Sequence, residues 1–168
     1  MPKIIENLES KLTEEAQRQI EQSGYGAVTI RSVAKACGVG VGTVYNYFSS
    51  KDELLAAYML RDWNDCIAAI EAVSADARSP EPVLRCIYDQ LRSYARQNSA
   101  VFRDEAAASG YSGSFSRYHG MLRSQLSAPL RKFCETDFAA SFIAESLLTW
   151  TMAGTSFNEI FELIGKLF

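Results

Sequence analysis

Residues 29–54 read TIRSVAKACGVGVGTVYNYFSSKDEL and predict two short helices, a glycine turn between them and the start of a longer third helix. Thr29 is a good N-cap residue, and the apolar side chains after it recur at helical spacing. These side chains are Ile30, Val33, Ala34 and Cys37. Gly38 stands where the first helix should stop, in a position suited to a positive φ.

The second helix of this pair has an inner and an outer face. It is expected to start at position 40 or 41 and to run through Tyr47. Val44 and Phe48 are four residues apart and face the core. The outer face carries Val41, Gly42, Thr43, Tyr45, Asn46 and Tyr47. Contact with a nucleic acid explains such an exposed polar and aromatic face. Two helices joined in this way are typical of a helix-turn-helix, which places its second helix in the DNA major groove.

Residues 38–54 closely resemble the DNA-binding signature of TetR-family transcriptional regulators. The upstream residues Gly24-Tyr25-Gly26 and the pattern Thr29…Val33-Ala34 fit the same signature, which covers about a third of the chain. The remainder resembles the family in being helical and apolar. The resemblance implies an all-α fold, with an N-terminal three-helix helix-turn-helix domain followed by a helical-bundle domain for ligand binding and dimerisation.

The predicted helices place the helix-turn-helix domain at residues 1–51 and the regulatory and dimerisation domain at residues 52–168. A first helix is expected from Ile4 to Ser23. A long helix starts at Ser50 as its N-cap, with Glu53 completing a capping box. The prolines of residues 79–82 break it. Further helices are expected after this break, over 99–108, over 115–133 with a break at Pro129, over 137–152 and over 156–168.

Composition favours a folded cytoplasmic protein. Of the 168 residues, 48% are hydrophobic, which is ample for a core. Met1-Pro2-Lys3 leads into polar sequence without the apolar segment of a secretory signal, and no apolar run approaches the roughly 20 residues of a membrane span. Four cysteines lack zinc or redox spacing and are expected to be reduced thiols. They are Cys37, Cys66, Cys86 and Cys134.

Charge alone does not favour a nucleic-acid partner. The net charge is −3, and through Leu55 six basic residues stand against seven acidic ones. Binding then depends on the face presented to phosphate, where Arg31, Lys35 and Lys51 are expected, with few phosphate contacts and a modest dependence on salt. The near-neutral charge leaves an alternative open, a helical small-molecule-binding or protein-interaction module that has lost DNA binding.

Nine residues are the candidate DNA contacts. They are Thr29, Arg31, Val41, Gly42, Thr43, Tyr45, Asn46, Tyr47 and Lys51. Tyr45 and Asn46 are the better candidates for base contacts, because asparagine can pair with adenine through two hydrogen bonds. Val41 can touch a thymine methyl group, and Gly42 lets the backbone approach closely. For Tyr45 and Tyr47, partial core packing is an alternative.

The other candidates concern phosphate. Backbone N–H groups after Thr29 can point at a phosphate, although Thr29 can equally be a plain N-cap. Arg31 can reach a guanine edge or a phosphate, or be a solvated arginine. The resemblance implies that Thr43 and Tyr47 position phosphates. Lys51 is predicted to be a phosphate clamp.

The last two predicted helices carry apolar residues on more than one face, so they must be buried on several sides. A second copy of the chain is a natural partner, and the resemblance favours a homodimer; an internal core is the alternative. The candidate interface residues are Phe138, Phe142, Leu148, Phe157, Ile160, Phe161 and Ile164. A homodimer suits a palindromic DNA operator.

Aromatic side chains are frequent in the predicted second domain, and pockets between helices are commonly apolar and aromatic. The candidate pocket residues are Trp63, Tyr88, Phe102, Tyr111, Phe115, Tyr118 and Trp150. For any single one, ordinary core packing is the alternative. The resemblance implies an unidentified small-molecule effector and repression of transcription. No catalytic or metal-ligand motif is evident: His119 is the one histidine and has no partner at helical spacing. We expect no enzyme activity, cofactor or metal.

Overall fold

The computed structural model describes residues 7–103 and 120–168, and every regular element in these residues is helical. The α-helices are α1 (Leu8–Ser23), α2 (Ile30–Ala36), α3 (Val41–Tyr45), α4 (Lys51–Asp76), α5 (Pro80–Gln97), α6 (Ser99–Phe102), α7 (120–127), α8 (Asp137–Met152) and α9 (Phe157–Ile164). Short 3-10 segments cover Tyr25–Ala27, Ala128–Phe133 and Gly165–Leu167. The predicted all-α fold is confirmed.

The described residues form two compact units. Residues 7–62 and 98–103 make up the first, and residues 63–97 and 120–168 make up the second. The helix α4 therefore contributes its first half to one unit and its second half to the other. Among the described residues, no helix combines the length and the apolar character that crossing a bilayer requires. The functional division predicted at residue 51 stays a prediction.

The core of the first unit is built from side chains at helical spacing. In α1, Leu12, Ala16 and Ile20 recur every four residues and are buried, which places them on one stripe of the helix. Val33 of α2 and Val44 of α3 are fully buried in the core of the same unit. Burying apolar side chains of this size contributes roughly 1.5–3 kcal/mol each. The short helices α2 and α3 are thus held by packing, since helices of five to seven residues are unstable alone.

The structure defines the starts of α1 and α4. Helix α1 starts at Leu8, after Asn7 with its left-handed φ of 59°, and the predicted start at Ile4 lies outside the described residues. At α4, Ser50 caps the Glu53 N–H at 3.1 Å as predicted. The Glu53 carboxylate, however, accepts from the N–H and hydroxyl of Ser49, both at 2.6 Å, so the predicted reciprocal box with Ser50 is wrong.

The second unit packs α5 against α8. Leu84, Ile87 and Leu91 of α5 and Ile143 and Leu147 of α8 are almost completely buried. The break predicted near Pro129 is confirmed, because α7 gives way to the 3-10 segment there.

The structure also defines the surroundings of Lys132 in the second unit and of three cysteine thiols. Lys132 donates to the carbonyls of Ser74 and Ala77 and so caps the C-terminal end of α4. Burial raises the pKa of the thiols of Cys37, Cys86 and Cys134, which are therefore protonated at neutral pH.

Candidate DNA-binding site

The start of α2 is fixed by a capping box. The Thr29 hydroxyl accepts from the Ser32 N–H at 3.0 Å, and the Ser32 hydroxyl oxygen accepts from the Thr29 N–H at 3.0 Å. Ser32 Oγ also lies 2.6 Å from Gln19 Oε1, which joins α2 to α1. Thr29 therefore serves as an N-cap, and its side chain is exposed at the surface. The cap holds the first turn of α2 in a defined position beside α1.

A glycine turn sets the orientation of α3 relative to α2. Gly38 has a φ of 68°, a conformation that side chains rarely adopt, and its N–H donates to the Lys35 carbonyl at 3.2 Å. The Val39 N–H donates to the Ala34 carbonyl at 3.0 Å, which completes a typical helix C-terminal motif. The predicted positive φ at Gly38 is confirmed. Four residues, 37–40, connect the two helices, and α3 packs on α2.

The outer face of α3 projects into solvent. Tyr45 is 53% exposed and Tyr47 is 45% exposed, and Gly42 and Asn46 are exposed as well. Val41 and Thr43 are half-buried. The helix is shorter than predicted, because it ends at Tyr45 and the Asn46 N–H closes the last turn onto the Gly42 carbonyl at 3.2 Å. The predicted core residues Val44 and Phe48 are both buried.

The charges beside this face are mixed, but the carboxylates are engaged in hydrogen bonds and ion pairs. Arg31 and Lys35 are exposed on α2. On α1, the hydrogen bond from Arg18 lowers the pKa of Glu15, with the two groups 2.5 Å apart. Hydrogen bonds from the Ser49 side chain and backbone lower the pKa of Glu53. These carboxylates stay ionised near neutral pH, and each has a local donor that offsets part of its charge.

Lys51 points inward rather than outward. Its ammonium donates to the Tyr25 carbonyl and lies 3.7 Å from the centroid of the Tyr25 ring. The Tyr25 hydroxyl in turn donates to the Asp52 carboxylate. The sequence analysis does not predict these three contacts between Tyr25 and α4. The sequence feature that points to the contact is a tyrosine flanked by Gly24 and Gly26, because glycines let another group approach the backbone carbonyl closely.

Residues 12–58 match the family model described as "Bacterial regulatory proteins, tetR family". The match begins inside α1, spans α2 and α3, and ends in the first turns of α4, which are the elements that build the face described above. Residues 12–58 therefore carry the helix-turn-helix segment typical of the TetR family. Two curated HTH-type transcriptional regulators of Staphylococcus aureus agree with this assignment.

The regulator from strain bovine RF122 is 27% identical over 97 residues, which is 58% of this chain and 52% of that protein. The one from strain USA300 is 24% identical over 103 residues, or 61% of this chain and 56% of that protein. The chain thus spans about half the length of the curated relatives it matches.

Solved structures share the fold of this chain over nearly its whole length. A transcriptional regulator of Streptomyces coelicolor has a TM-score of 0.72 at 13% identity, covering 94% of this chain and 96% of that one. The TetR family repressor AlkX from Dietzia has a TM-score of 0.62 at 18% identity, covering 94% and 97%. FadR from Bacillus subtilis, in complex with stearoyl-CoA, has a TM-score of 0.57 at 18% identity, covering 92% and 96%.

Several candidate dimer residues are covered by other parts of the same chain. Leu148, Phe157, Ile160 and Ile164 are buried, and Phe161 is half-buried. Arg85 of α5 lies 4.1 Å from the Phe157 ring, and the Tyr88 hydroxyl donates to the Thr155 carbonyl at 3.1 Å. The inner face of α9 therefore packs on α5, and these buried side chains offer no surface to a second copy. Phe138 and Phe142 of α8 are exposed.

The candidate pocket residues that the structure describes differ in burial. Trp63 and Tyr88 are buried in the second unit, where Trp63 Nε1 donates to Gln125 Oε1 at 2.7 Å. Phe102 is 40% exposed and Trp150 is 55% exposed. The remaining members, Tyr111, Phe115 and Tyr118, lie outside the described residues, as does His119. Among the described residues, no group of three or more His, Cys, Asp or Glu side chains is placed to hold a metal ion.

Proposed function

We propose that this chain is a sequence-specific DNA-binding transcriptional regulator that reads its operator with α3. The observation that carries this proposal is the outer face of α3. Tyr45, Asn46 and Tyr47 are exposed there, while Val44 and Phe48 on the inner face are buried. A two-sided helix of five residues, fixed by a capped neighbour and a glycine turn, has the size and rigidity to enter the major groove.

Base reading is assigned to Tyr45 and Asn46, with Val41 and Gly42 close to the base edges. Thr43 and Tyr47 position phosphates. The exposed cations of α2, Arg31 and Lys35, add electrostatic attraction, as do the N–H groups of the helix capped by Thr29. Because these cations are few, the affinity should depend only modestly on salt. Such a regulator acts in the cytoplasm, and the DNA-reading part comprises residues 1–51.

The active form in this proposal is a homodimer on a palindromic operator. What supports it is the exposed apolar surface of α8 and α9, where Phe138 is 77% exposed and Leu163 is 70% exposed. Large apolar side chains exposed on adjacent elements are typical of an interaction surface. A two-fold dimer presents two recognition helices about 34 Å apart, which matches successive turns of the major groove.

A small-molecule effector completes the proposal, with residues 52–168 as the regulatory domain and repression as the sign of control. Support comes from the aromatic core around Trp63, whose ring packs edge-on against Tyr94 at 5.5 Å, and from the shared fold with FadR in complex with stearoyl-CoA. An effector releases DNA only if it binds more tightly to the conformer that binds DNA less well. Native mass spectrometry of the purified protein tests for a dimer and a co-purified small molecule together.

The decisive experiment is a selection from a random pool of duplexes at low salt, followed by a mobility-shift assay. The expected result is enrichment of a palindromic sequence that binds at least 10³-fold more tightly than a scrambled duplex, as is typical of specific DNA binding. A protein that enriches no sequence and shifts no duplex contradicts the proposal. That result favours the alternative, a small-molecule-binding or protein-interaction module that has lost DNA binding, which the near-neutral charge of the first 55 residues supports.

A further inference from the structure

Three contacts converge on Tyr25 from the first two residues of α4. The Lys51 ammonium donates to the Tyr25 carbonyl and lies 3.7 Å from the centroid of its ring. The Tyr25 hydroxyl donates to the Asp52 carboxylate. The ring itself is buried. A cation over a partly desolvated aromatic face, a charge-assisted hydrogen bond and a buried ring together make a firm attachment.

This attachment joins the two ends of the segment that contains α2 and α3. Tyr25 precedes α2, and Lys51 follows α3 with only Ser49 and Ser50 between it and the buried Phe48. The direction in which α3 presents its outer face therefore depends on the Lys51 contact as well as on core packing. Misplacement of a recognition element by about an ångström is enough to weaken interactions that depend on geometry.

We infer that Lys51 is a positioning residue for the recognition helix, acting through Tyr25, and that its ammonium is not a phosphate ligand. One of its donors is used on a carbonyl, and its charge faces an aromatic ring beside the Asp52 carboxylate. Moving the ammonium to a DNA phosphate gives up these contacts. The inference rests on the proposed function, because it assigns Lys51 a part in how α3 reads DNA.

The test compares Lys51→Met with the wild-type protein on two probes, the duplex that the wild type enriches and a scrambled duplex of equal composition. A positioning residue should lower the preference for the selected duplex roughly tenfold, while the slope of log K against log[salt] stays the same. Lys51→Arg, which keeps the cation and its donors, should retain most of the preference. Tyr25→Phe, which loses only the Asp52 bond, should show a smaller loss of preference at the same slope.

The matched control is Lys132→Met. Lys132 also donates to backbone carbonyls and lies over an aromatic ring, 4.9 Å from the Phe133 centroid, but in the second unit. It should leave the sequence preference unchanged. If Lys51→Met instead reduces the salt slope by about 0.9 and weakens both duplexes equally, Lys51 is a phosphate ligand and the inference is wrong.

A measurement without DNA keeps the inference separate from the proposed function. Hydrogen exchange at the amides of residues 44–48 should be faster in Lys51→Met than in Lys132→Met, since the attachment holds that segment in place. Equal exchange in the two variants overturns the inference. If Lys51→Met does not fold, Tyr25→Phe takes its place in both measurements. Failure of the wild type to enrich any duplex counts against the proposed function, whereas the exchange result still decides the positioning role.

Discussion

Gly42 occupies an exposed position of α3 where an added Cβ meets no atom within 4 Å. Its φ is not in the left-handed region, so the backbone does not require glycine there. Glycine in a helix costs about 1 kcal/mol relative to alanine. Glycine at this position therefore does not stabilise the fold. We infer that it serves the interaction of the exposed α3 surface with DNA.

Gly42→Ala should therefore stabilise the protein while weakening DNA binding. We expect a gain of about 0.5–1 kcal/mol in the free energy of unfolding and a loss of roughly tenfold or more in operator affinity. Denaturant unfolding and mobility shift measure the two effects. The control is Gly38→Ala, which should destabilise the protein because its φ is 68°. If Gly42→Ala binds DNA as tightly as the wild type, the proposal that the backbone at Gly42 lies close to the DNA is wrong.

Asn46 and Tyr47 are neighbours with different assigned roles, and substitutions can separate them. Asn46→Ala and Tyr45→Ala should each cost about 1–3 kcal/mol on the selected operator and relax its sequence preference. Tyr47→Phe should weaken all duplexes about equally, because a phosphate contact carries no sequence information. Binding isotherms on the selected and scrambled duplexes give the comparison. Equal losses on both duplexes for all three variants would contradict these roles.

At the scale of single elements, two helix starts depend on glutamates. Glu53 accepts from Ser49, and Glu159 accepts from the Ser156 hydroxyl at 2.5 Å and its N–H at 3.1 Å. In both cases the serine hydroxyl and backbone N–H bonds lower the pKa of the carboxyl below its ordinary value of 4.5. The folded pKa is thus lower than the unfolded one. The stabilisation is present above 4.5 and is lost as pH falls through the folded pKa.

The double variant Glu53→Gln with Glu159→Gln should consequently melt at a lower temperature than the wild type at pH 7. As pH falls below 4.5, the wild-type melting temperature should decline towards that of the variant, because protonation removes the same interaction. Thermal unfolding followed by circular dichroism across this range provides the measurement. Glu162→Gln, an exposed carboxylate on α9, serves as control and should change neither curve. A constant difference at every pH would argue against the capping explanation.

Periodicity predicts which side chains share a face, and this is why the core of the helix-turn-helix was predictable. Val44 and Phe48 are predicted and found to be buried. The same periodicity does not say what covers a face. Phe157 and Ile160 are apolar at helical spacing, but the structure covers them with their own chain, where Arg85 lies over the Phe157 ring. Choosing between an internal and an external partner requires tertiary contacts.

Helix ends were harder to predict, because they depend on single dihedral angles and on choices between adjacent groups. The start of α1 is set by the left-handed φ of Asn7, a conformation that asparagine tolerates but does not require. The Glu53 carboxylate accepts from the N–H of Ser49 and not from that of Ser50, and the sequence does not distinguish between these adjacent serines. The contact of Lys51 with Tyr25 joins residues 26 apart, and the glycines beside Tyr25 indicate an accessible carbonyl without indicating which residue approaches it. Local spacing predicted the elements, and long-range contacts decided the details of the site.

At the scale of the whole molecule, the proposed dimer depends on side chains that α8 leaves exposed. Phe138 and Phe142 lie side by side with their ring centroids 6.3 Å apart. Substituting both with glutamate should give a monomer, because burying two unpaired carboxylates costs far more than the contact returns. Sedimentation velocity measures the change. The monomer should lose most of its affinity for the full palindrome while keeping its affinity for a half-site.

The matched control for the dimer is Val73→Glu, which alters an exposed apolar residue on another helix, α4. It should sediment like the wild type. A wild-type protein that is monomeric at micromolar concentration, or a double phenylalanine variant that still dimerises, would refute the assignment of this surface.

The two tryptophans of this chain differ sharply in their surroundings. Trp63 is 2% exposed with its indole N–H bonded to Gln125, whereas Trp150 on α8 is 55% exposed. The tryptophan fluorescence should therefore combine a blue-shifted component from Trp63 that iodide does not quench and a red-shifted component from Trp150 that iodide does quench. Covering α8 removes water from Trp150 alone. Self-association at that helix becomes visible as a blue shift and a loss of quenching, with Trp63 as an internal standard, in the unlabelled protein.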